Sequence, residues 1–316
     1  MTLNTPVVHL DHLQKQFGRV HALNDVTFDV YPGEVFGFIG PNGAGKSTTI
    51  RTLLGLLRAS GGTATIFDQD VFKDAVAIHK RLAYVPGDVY LWPNLTGGEI
   101  IDLLLKLSGQ RHQPKTDDLI HQFGLDPTKK ARTYSKGNRQ KVALIAALSQ
   151  DADLYIFDEP TSGLDPLNER FFQEAVLQLK QQGKAVLLSS HILSEVERMC
   201  DRIGIIRNGT IIETGTLADM RHLTRTQIAV TTTQPLTDLS THQGVHQVAT
   251  TTTDRPGYHT TFTVDSEALG AVMTLLTAHQ ITAIQSTPPT LEDLFLRYYD
   301  QQPVTDHSGK DVSDHA

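Results

Sequence analysis

Residues Val35 to Leu57 read VFGFIGPNGAGKSTTIRTLLGLL: an apolar run, a loop studded with glycines, and a segment whose isoleucine and leucines recur at helical spacing. The loop carries G-x-x-x-x-G-K-S from Gly40 to Ser47, and its place between strand and helix gives that spacing chemical meaning. Gly40, Gly43 and Gly45 let the backbone curl until successive amide hydrogens point inward, and the positive end of the following helix reinforces them. A polyphosphate is the natural occupant. Lys46 would set a charge on its β- and γ-phosphates and the Ser47 hydroxyl would coordinate Mg²⁺, with Asn42, Ala44 and Thr48 completing the lining.

Such a loop serves many unrelated enzymes, so its companions must narrow the reading. LYIFDEP, Leu154 to Pro160, is an apolar strand that delivers two carboxylates where it leaves the sheet, the edge at which α/β sheets bind ligands. Asp158 is placed to hold the hydrated Mg²⁺, and Glu159 to orient the attacking water and accept its proton. Read alone, the pair could instead cap the next helix. In TSGLDP, Asp165 and Pro166 read as N-cap and first residue of a helix running to Gln182 and stopped by Gly183. The strand AVLLS then leads through Ser189 and Ser190 to His191, which could donate to a γ-phosphate oxygen or be a structural imidazole.

Together these residues resemble the ATP-binding cassette ATPases, the motor subunits of ABC transporters. In that comparison Gly40 to Thr48 is the Walker A loop, Leu154 to Glu159 the Walker B strand, Ser162 to Asp165 the D-loop and His191 the switch histidine. Phe17 matches the aromatic residue that stacks on adenine. The usual LSGGQ signature reads Tyr134-Ser135-Lys136-Gly137-Asn138 here, ahead of a helix expected from Asn138 to Ser149. Ser135 and Gly137, which in the family touch the γ-phosphate of the opposite subunit's nucleotide, are kept, while Lys136 adds a charge where that phosphate would approach. Where the family has Gln or Glu after the proline of LAYVP, this chain has Gly87 and then Asp88.

The resemblance covers roughly the first 215–220 residues and implies a P-loop cassette fold: a mainly parallel central sheet, an N-terminal antiparallel β region, and a helical subdomain at about 88–150. It further implies a subunit that hydrolyses Mg·ATP, pairs with a second ATP-binding subunit, most simply a second copy of itself, and drives a separate transmembrane permease from the cytoplasmic face of the membrane. A nucleotide-binding regulatory module with little turnover is the alternative. Residues 221–300, ending TPPTLEDLFLRYY, resemble the accessory domain of drug- and antibiotic-exporter ATPases of the daunorubicin-resistance type, which implies lipophilic cargo.

Composition agrees with a folded α/β chain in two parts. Before about residue 220, short apolar strands alternate with helix-length segments, the pattern of a helix-covered parallel sheet. Beyond it, threonine dominates, with strands expected at Gln227 to Thr233, Tyr258 to Val264 and Ile281 to Ser286, and helices at Ser266 to His279 and Thr290 to Tyr299. Residues 301–316 are polar and aperiodic, the composition of a disordered tail. In the first part, Thr96 and Glu99 form a capping box for a helix whose Ile101, Leu104, Leu105 and Leu107 should face a core.

Charge and composition also exclude several classes. With 28 basic and 35 acidic residues the net charge is −7, which disfavours a nucleic-acid partner, since such binding rests on neutralising phosphates. Cys200, the single cysteine, allows no internal disulfide and fits a reducing compartment. A membrane span needs roughly 20 apolar residues, whereas the longest uninterrupted apolar run is Val142 to Leu148. The N-terminal segment lacks the pattern of a secretory signal. Fourteen histidines are scattered through the chain without a cysteine or carboxylate cluster at ligand spacing, and the best pair, His242 and His246, lies in a Thr/Gln-rich stretch.

Overall fold

The apolar run at 35–39 is a strand buried along its whole length, and the first unit of the fold is built around it. In this computed structural model, residues 5–222, 225–252 and 257–287 are described, and they divide into two units between Leu217 and Ala218. The first unit holds, in chain order, β1 (Val8–Phe17), β2 (Val20–Val30), β3 (Val35–Ile39), α1 (Lys46–Leu53), β4 (Gly61–Ile66), β5 (Gln69–Asp70), α2 (Ala75–His79) and β6 (Leu82–Val85). Then come α3 (Gly97–Leu107), α4 (Pro114–Gln122), α5 (Lys136–Leu148), β7 (Leu154–Asp158), α6 (Pro166–Gln181), β8 (Ala185–Ser190), α7 (Leu193–Met199), β9 (Arg202–Arg207) and β10 (Thr210–Thr216).

These strands form one sheet in the order β5-β4-β1-β2-β10-β9-β3-β8-β7-β6. The run β9-β3-β8-β7-β6 is parallel throughout, whereas β5-β4-β1-β2 is antiparallel. Burial explains the division. Every residue of β3, β7 and β8 is buried, as expected of strands covered on both faces, while β1 mixes buried and exposed positions. Phe28 of β2 stacks on Phe36 of β3 at 4.9 Å between ring centroids, which locks the two regions into one core.

Local signals set the helices. The Thr96 hydroxyl accepts from the Glu99 amide at 3.3 Å, and the Glu99 carboxylate accepts from the Thr96 amide at 2.7 Å, closing the expected capping box. Within α3, Ile100, Ile101 and Leu105 are buried, but Leu107 is 72% exposed, contrary to the expected stripe. Ile100 and Leu107 lie two turns apart on one side, so that side is buried where the helix begins and open where it ends. Asp165 caps α6 and Pro166 opens it; after its C-cap, Gln182, Gly183 takes φ +79°. The signature helix starts at Lys136 rather than Asn138, because Ser135 is itself the N-cap. Among the described residues no helix is long and apolar enough to cross a membrane.

From α8 (Leu217–His222) the chain enters the second unit, with β11 (Thr226–Thr232), β12 (Val245–Thr252), β13 (Tyr258–Val264), α9 (Leu269–Thr277) and β14 (Ile281–Thr287). Its sheet, β12-β13-β11-β14, is antiparallel, and Ile228, Val230, Phe262 and Val264 form a core with Val272 and Leu276 of α9. Strand β12 is not apparent in the sequence: it is threonine-rich, mostly exposed, and a register shift between His246 and Ala249 breaks its alternation. His246 belongs to this strand and bonds Asp265 at 3.0 Å. The helix expected at 290–299 and the tail at 301–316 lie outside the described residues.

Candidate functional site

Parallel strands β3, β8 and β7 end on one edge of the sheet, and each hands over to a segment of the expected nucleotide site. After β3, Gly40 packs so closely that a Cβ would stand 2.4 Å from the Ile206 carbonyl oxygen. Gly45, at φ +116°, is the N-cap of α1, and a Cβ there would meet Leu23 at 2.8 Å. Between them Gly43 turns through φ +81°, Ala44 is buried with its carbonyl accepting from the Gly209 amide, and Asn42 and Gly43 stay exposed. Lys46 is only 5% exposed, and its ammonium donates to the Gly40 and Pro41 carbonyls at 2.7 and 3.2 Å. Ser47 and Thr48 follow in the first turn of α1, partly exposed.

Strand β7 delivers Asp158, buried, whose Oδ1 accepts from the Ser189 hydroxyl of β8 at 2.5 Å. Glu159 then takes φ +48°, the left-handed region that costs a non-glycine residue about 1–2 kcal/mol. Its amide donates to the carbonyl and hydroxyl oxygens of Ser189, both at 3.1 Å. The Glu159 carboxylate lies 3.6 Å from Lys46 Nζ through one oxygen and 3.3 Å from His191 Nδ1 through the other. Three strand ends thus bring a buried ammonium, a carboxylate and a half-exposed imidazole together.

A second group forms around the loop that follows Glu159. Ser135 Oγ accepts from the Asn138 amide at 3.3 Å, as an N-cap does. Gly137 is pressed against Gly163, where a Cβ would stand 2.4 Å from the carbonyl oxygen. Asp165 accepts from the Asn168 amide at 3.0 Å, and that bond holds its carboxyl below the usual carboxylate range. Lys136 donates to Ser162 Oγ at 2.7 Å within its own chain, a direction its position in the motif does not reveal. Phe17 stands at the end of β1, 47% exposed, with the Lys15 ammonium 4.8 Å from its ring centroid.

Three further residues matter that sequence reasoning did not single out. Glu195 of α7 is buried; its Oε2 accepts from Thr161 Oγ1 at 3.0 Å and Ser190 Oγ at 3.4 Å, which ties the segment after Glu159 to the one before His191. Burial pushes its carboxyl up. Gln140 of α5, 1% exposed, donates to the Pro160 carbonyl at 2.9 Å. Tyr84 of β6 has its phenol pushed up to about 12, by burial first and by Asp158 second. None of the three has a motif to mark it.

The residues present suit a hard cation. Ser47 and Asp158 offer oxygen atoms, and at Gly87 the missing side chain leaves room beside Asp158, since a Cβ there would lie 3.8 Å from Oδ2. Asp88, next to it, is exposed and lines a groove of about 380 Å³ with Tyr90, Arg132, Lys136 and Arg139.

Comparison with known proteins gives this edge its context. A family model described as ABC transporter matches residues 23–162, and one described as the C-terminal domain of DrrA1-3-like ATP-binding proteins matches residues 215–299. An uncharacterized ABC transporter ATP-binding protein of Nostoc sp. is 40% identical over 234 residues, 69% of either chain. The linearmycin resistance ATP-binding protein LnrL of Bacillus subtilis is 34% identical over 219 residues, 68% of this chain and 70% of that one. A solved structure of an ATP-binding subunit of an ABC transporter is 34% identical, with a TM-score of 0.64 over 69% of this chain and 92% of its own. With that agreement running through the P-loop, the carboxylate strand and the C-terminal unit alike, the chain belongs to the ATP-binding subunits of ABC transporters, in the group that carries a DrrA-like C-terminal domain.

Proposed function

We propose that this subunit hydrolyses ATP in a dimer that closes over two nucleotides, each held between one copy's P-loop and the other's Ser135 to Asn138 segment, and so drives a separate exporter permease. The observation that carries this reading is that Lys46 and His191 both lie within 3.6 Å of the Glu159 carboxylate, at one sheet edge.

In this reading, the curled amides from Asn42 to Thr48 and Lys46 bind the phosphates, while the Phe17 ring stacks on adenine. A magnesium ion held by Ser47 and Asp158 would neutralise charge on the β- and γ-phosphate oxygens. Glu159 orients a water and accepts its proton as the water oxygen bonds to the γ-phosphorus; the bond to the bridging oxygen breaks and ADP departs with that electron pair. His191 donates to a γ-phosphate oxygen. Ser135 and Gly137 of the second copy lose their partner when phosphate leaves, which opens the dimer. Resistance to linearmycin, named for a relative, supports a drug-like cargo, and the permease fixes the subunit at the cytoplasmic face of the membrane.

The test is Glu159→Gln. ATP binding should persist and a stable dimer accumulate while phosphate release falls by roughly 10² or more, the scale of a lost general base. Undiminished release would overturn the assignment.

A further inference from the structure

We propose that Lys136 is a positioning residue for Glu159: with Gln140, it clamps the loop that follows Glu159 onto helix α5, so that the signature segment sets the base of its own chain. The inference rests on the proposed function, and it concerns a lysine at the position where the family signature has glycine.

Glu159 needs external support. At φ +48° it occupies a region that a side-chain-bearing residue leaves unless its surroundings hold it there. On one side the hold is Ser189, which takes the Glu159 amide through two oxygens. On the other, the Ser162 amide donates back to the Glu159 carbonyl at 3.2 Å, closing a tight turn over residues 159–162. That turn is fastened at two points to α5. Lys136 Nζ donates to Ser162 Oγ at 2.7 Å, and Gln140 Nε2 donates to the Pro160 carbonyl at 2.9 Å.

Lys136 and Gln140 are four residues apart, one turn, so they share a face of α5 and grip the turn together. The packing leaves little slack: Gly137 and Gly163 touch backbone to backbone, and a Cβ on Gly163 would meet Lys136 Cγ at 3.4 Å. Lys136 therefore spends its ammonium inside its own chain rather than aiming it at an approaching phosphate. Because Ser135 and Gly137 flank it, any displacement of the signature segment when it engages the second copy's nucleotide moves the turn at 159–162. With glycine at position 136, the bond to Ser162 would be absent and the one from Gln140 to Pro160 would remain.

A double-mutant cycle on the full-length protein, Lys136→Met and Ser162→Ala singly and together, tests this. Each single change should lower kcat about tenfold or more, the scale of one lost hydrogen bond to a charged group. The KM for ATP should stay within about twofold, and the double variant should be no slower than the slower single. The melting temperature of both singles should stay unchanged, so that the loss lies in kcat at constant KM and constant stability. Additive losses, or two silent singles, would sink the inference. So would Lys136→Met raising KM and weakening dimerisation while Ser162→Ala is silent, which would place Lys136 on the nucleotide itself. Glu159→Gln in the same series separates the two levels: if it leaves phosphate release intact, the base assignment fails and the clamp with it, whereas if it abolishes release and the cycle is additive, the clamp alone fails.

Discussion

His191 Nδ1 lies 3.3 Å from Glu159 Oε2, so the residue at the end of β8 reaches the one at the end of β7 directly. With its N–H on Nε2, the imidazole can donate to a phosphate oxygen. We expect His191→Ala to keep ATP binding within a few-fold and to lower phosphate release by roughly 10², the scale of one lost preorganised donor. Parallel measurement of nucleotide affinity and single-turnover release checks it. Equal losses in both would make His191 a binding residue.

Lys46 gives a different signature. Its ammonium is buried against the Gly40 and Pro41 carbonyls and near Glu159, so it supports the loop from within. Lys46→Ala should weaken ATP binding itself, by at least tenfold on the scale of a charge-assisted contact, as read by equilibrium titration with a fluorescent nucleotide. Unchanged affinity with reduced turnover would move Lys46 from binding to chemistry.

Gly87 sits beside Asp158, and a Cβ there would approach the Asp158 carbonyl oxygen to 3.3 Å, a contact that a slight backbone shift relieves. Gly87→Gln would therefore fold and put an amide next to Asp158. We expect basal ATPase to change less than about twofold, and stimulation by the permease to change several-fold more. Equal effects on both would deny position 87 the part that the resembling family gives its Gln or Glu, joining the nucleotide site to the helical subdomain that meets the permease.

How much of this was legible beforehand depended on whether a residue's partners are near it in sequence. The P-loop was readable because its glycines, lysine and serine are contiguous and flanked by β3 and α1. The caps at Thr96 and Asp165 were readable for the same reason. His191 took its meaning from the family resemblance, since a lone imidazole after a strand has many uses. Glu195 and Gln140 were not legible: one acts on Thr161, 34 positions away, and the other on Pro160, 20 positions away, through pairings that only the folded sheet creates. Lys136 was seen as a charge, but a motif does not say which way a side chain turns.

Histidine 112 offers a stability test independent of turnover. Its Nδ1 lies 2.6 Å from Asp102 of α3 and its Nε2 3.0 Å from Asp117 of α4, so it bridges two helices. A neutral imidazole carries one N–H, so only the imidazolium can donate to both carboxylates. The bond to Asp102, joined by that to Asp117 and opposed by partial burial, raises its pKa. The sign follows from linkage. With the folded value above the unfolded value of about 6.5, the stabilisation is fully present below that pH and is lost as pH rises through the folded value. His112→Gln should therefore melt lower than the parent at about pH 6 and together with it at about pH 9, by less than about 1 kcal/mol since the group is partly exposed and screened. Thermal melts of both proteins across that window, at low and high salt, are the measurement. A gap that stayed constant with pH would mean that His112 joins the helices by packing alone, without its charge.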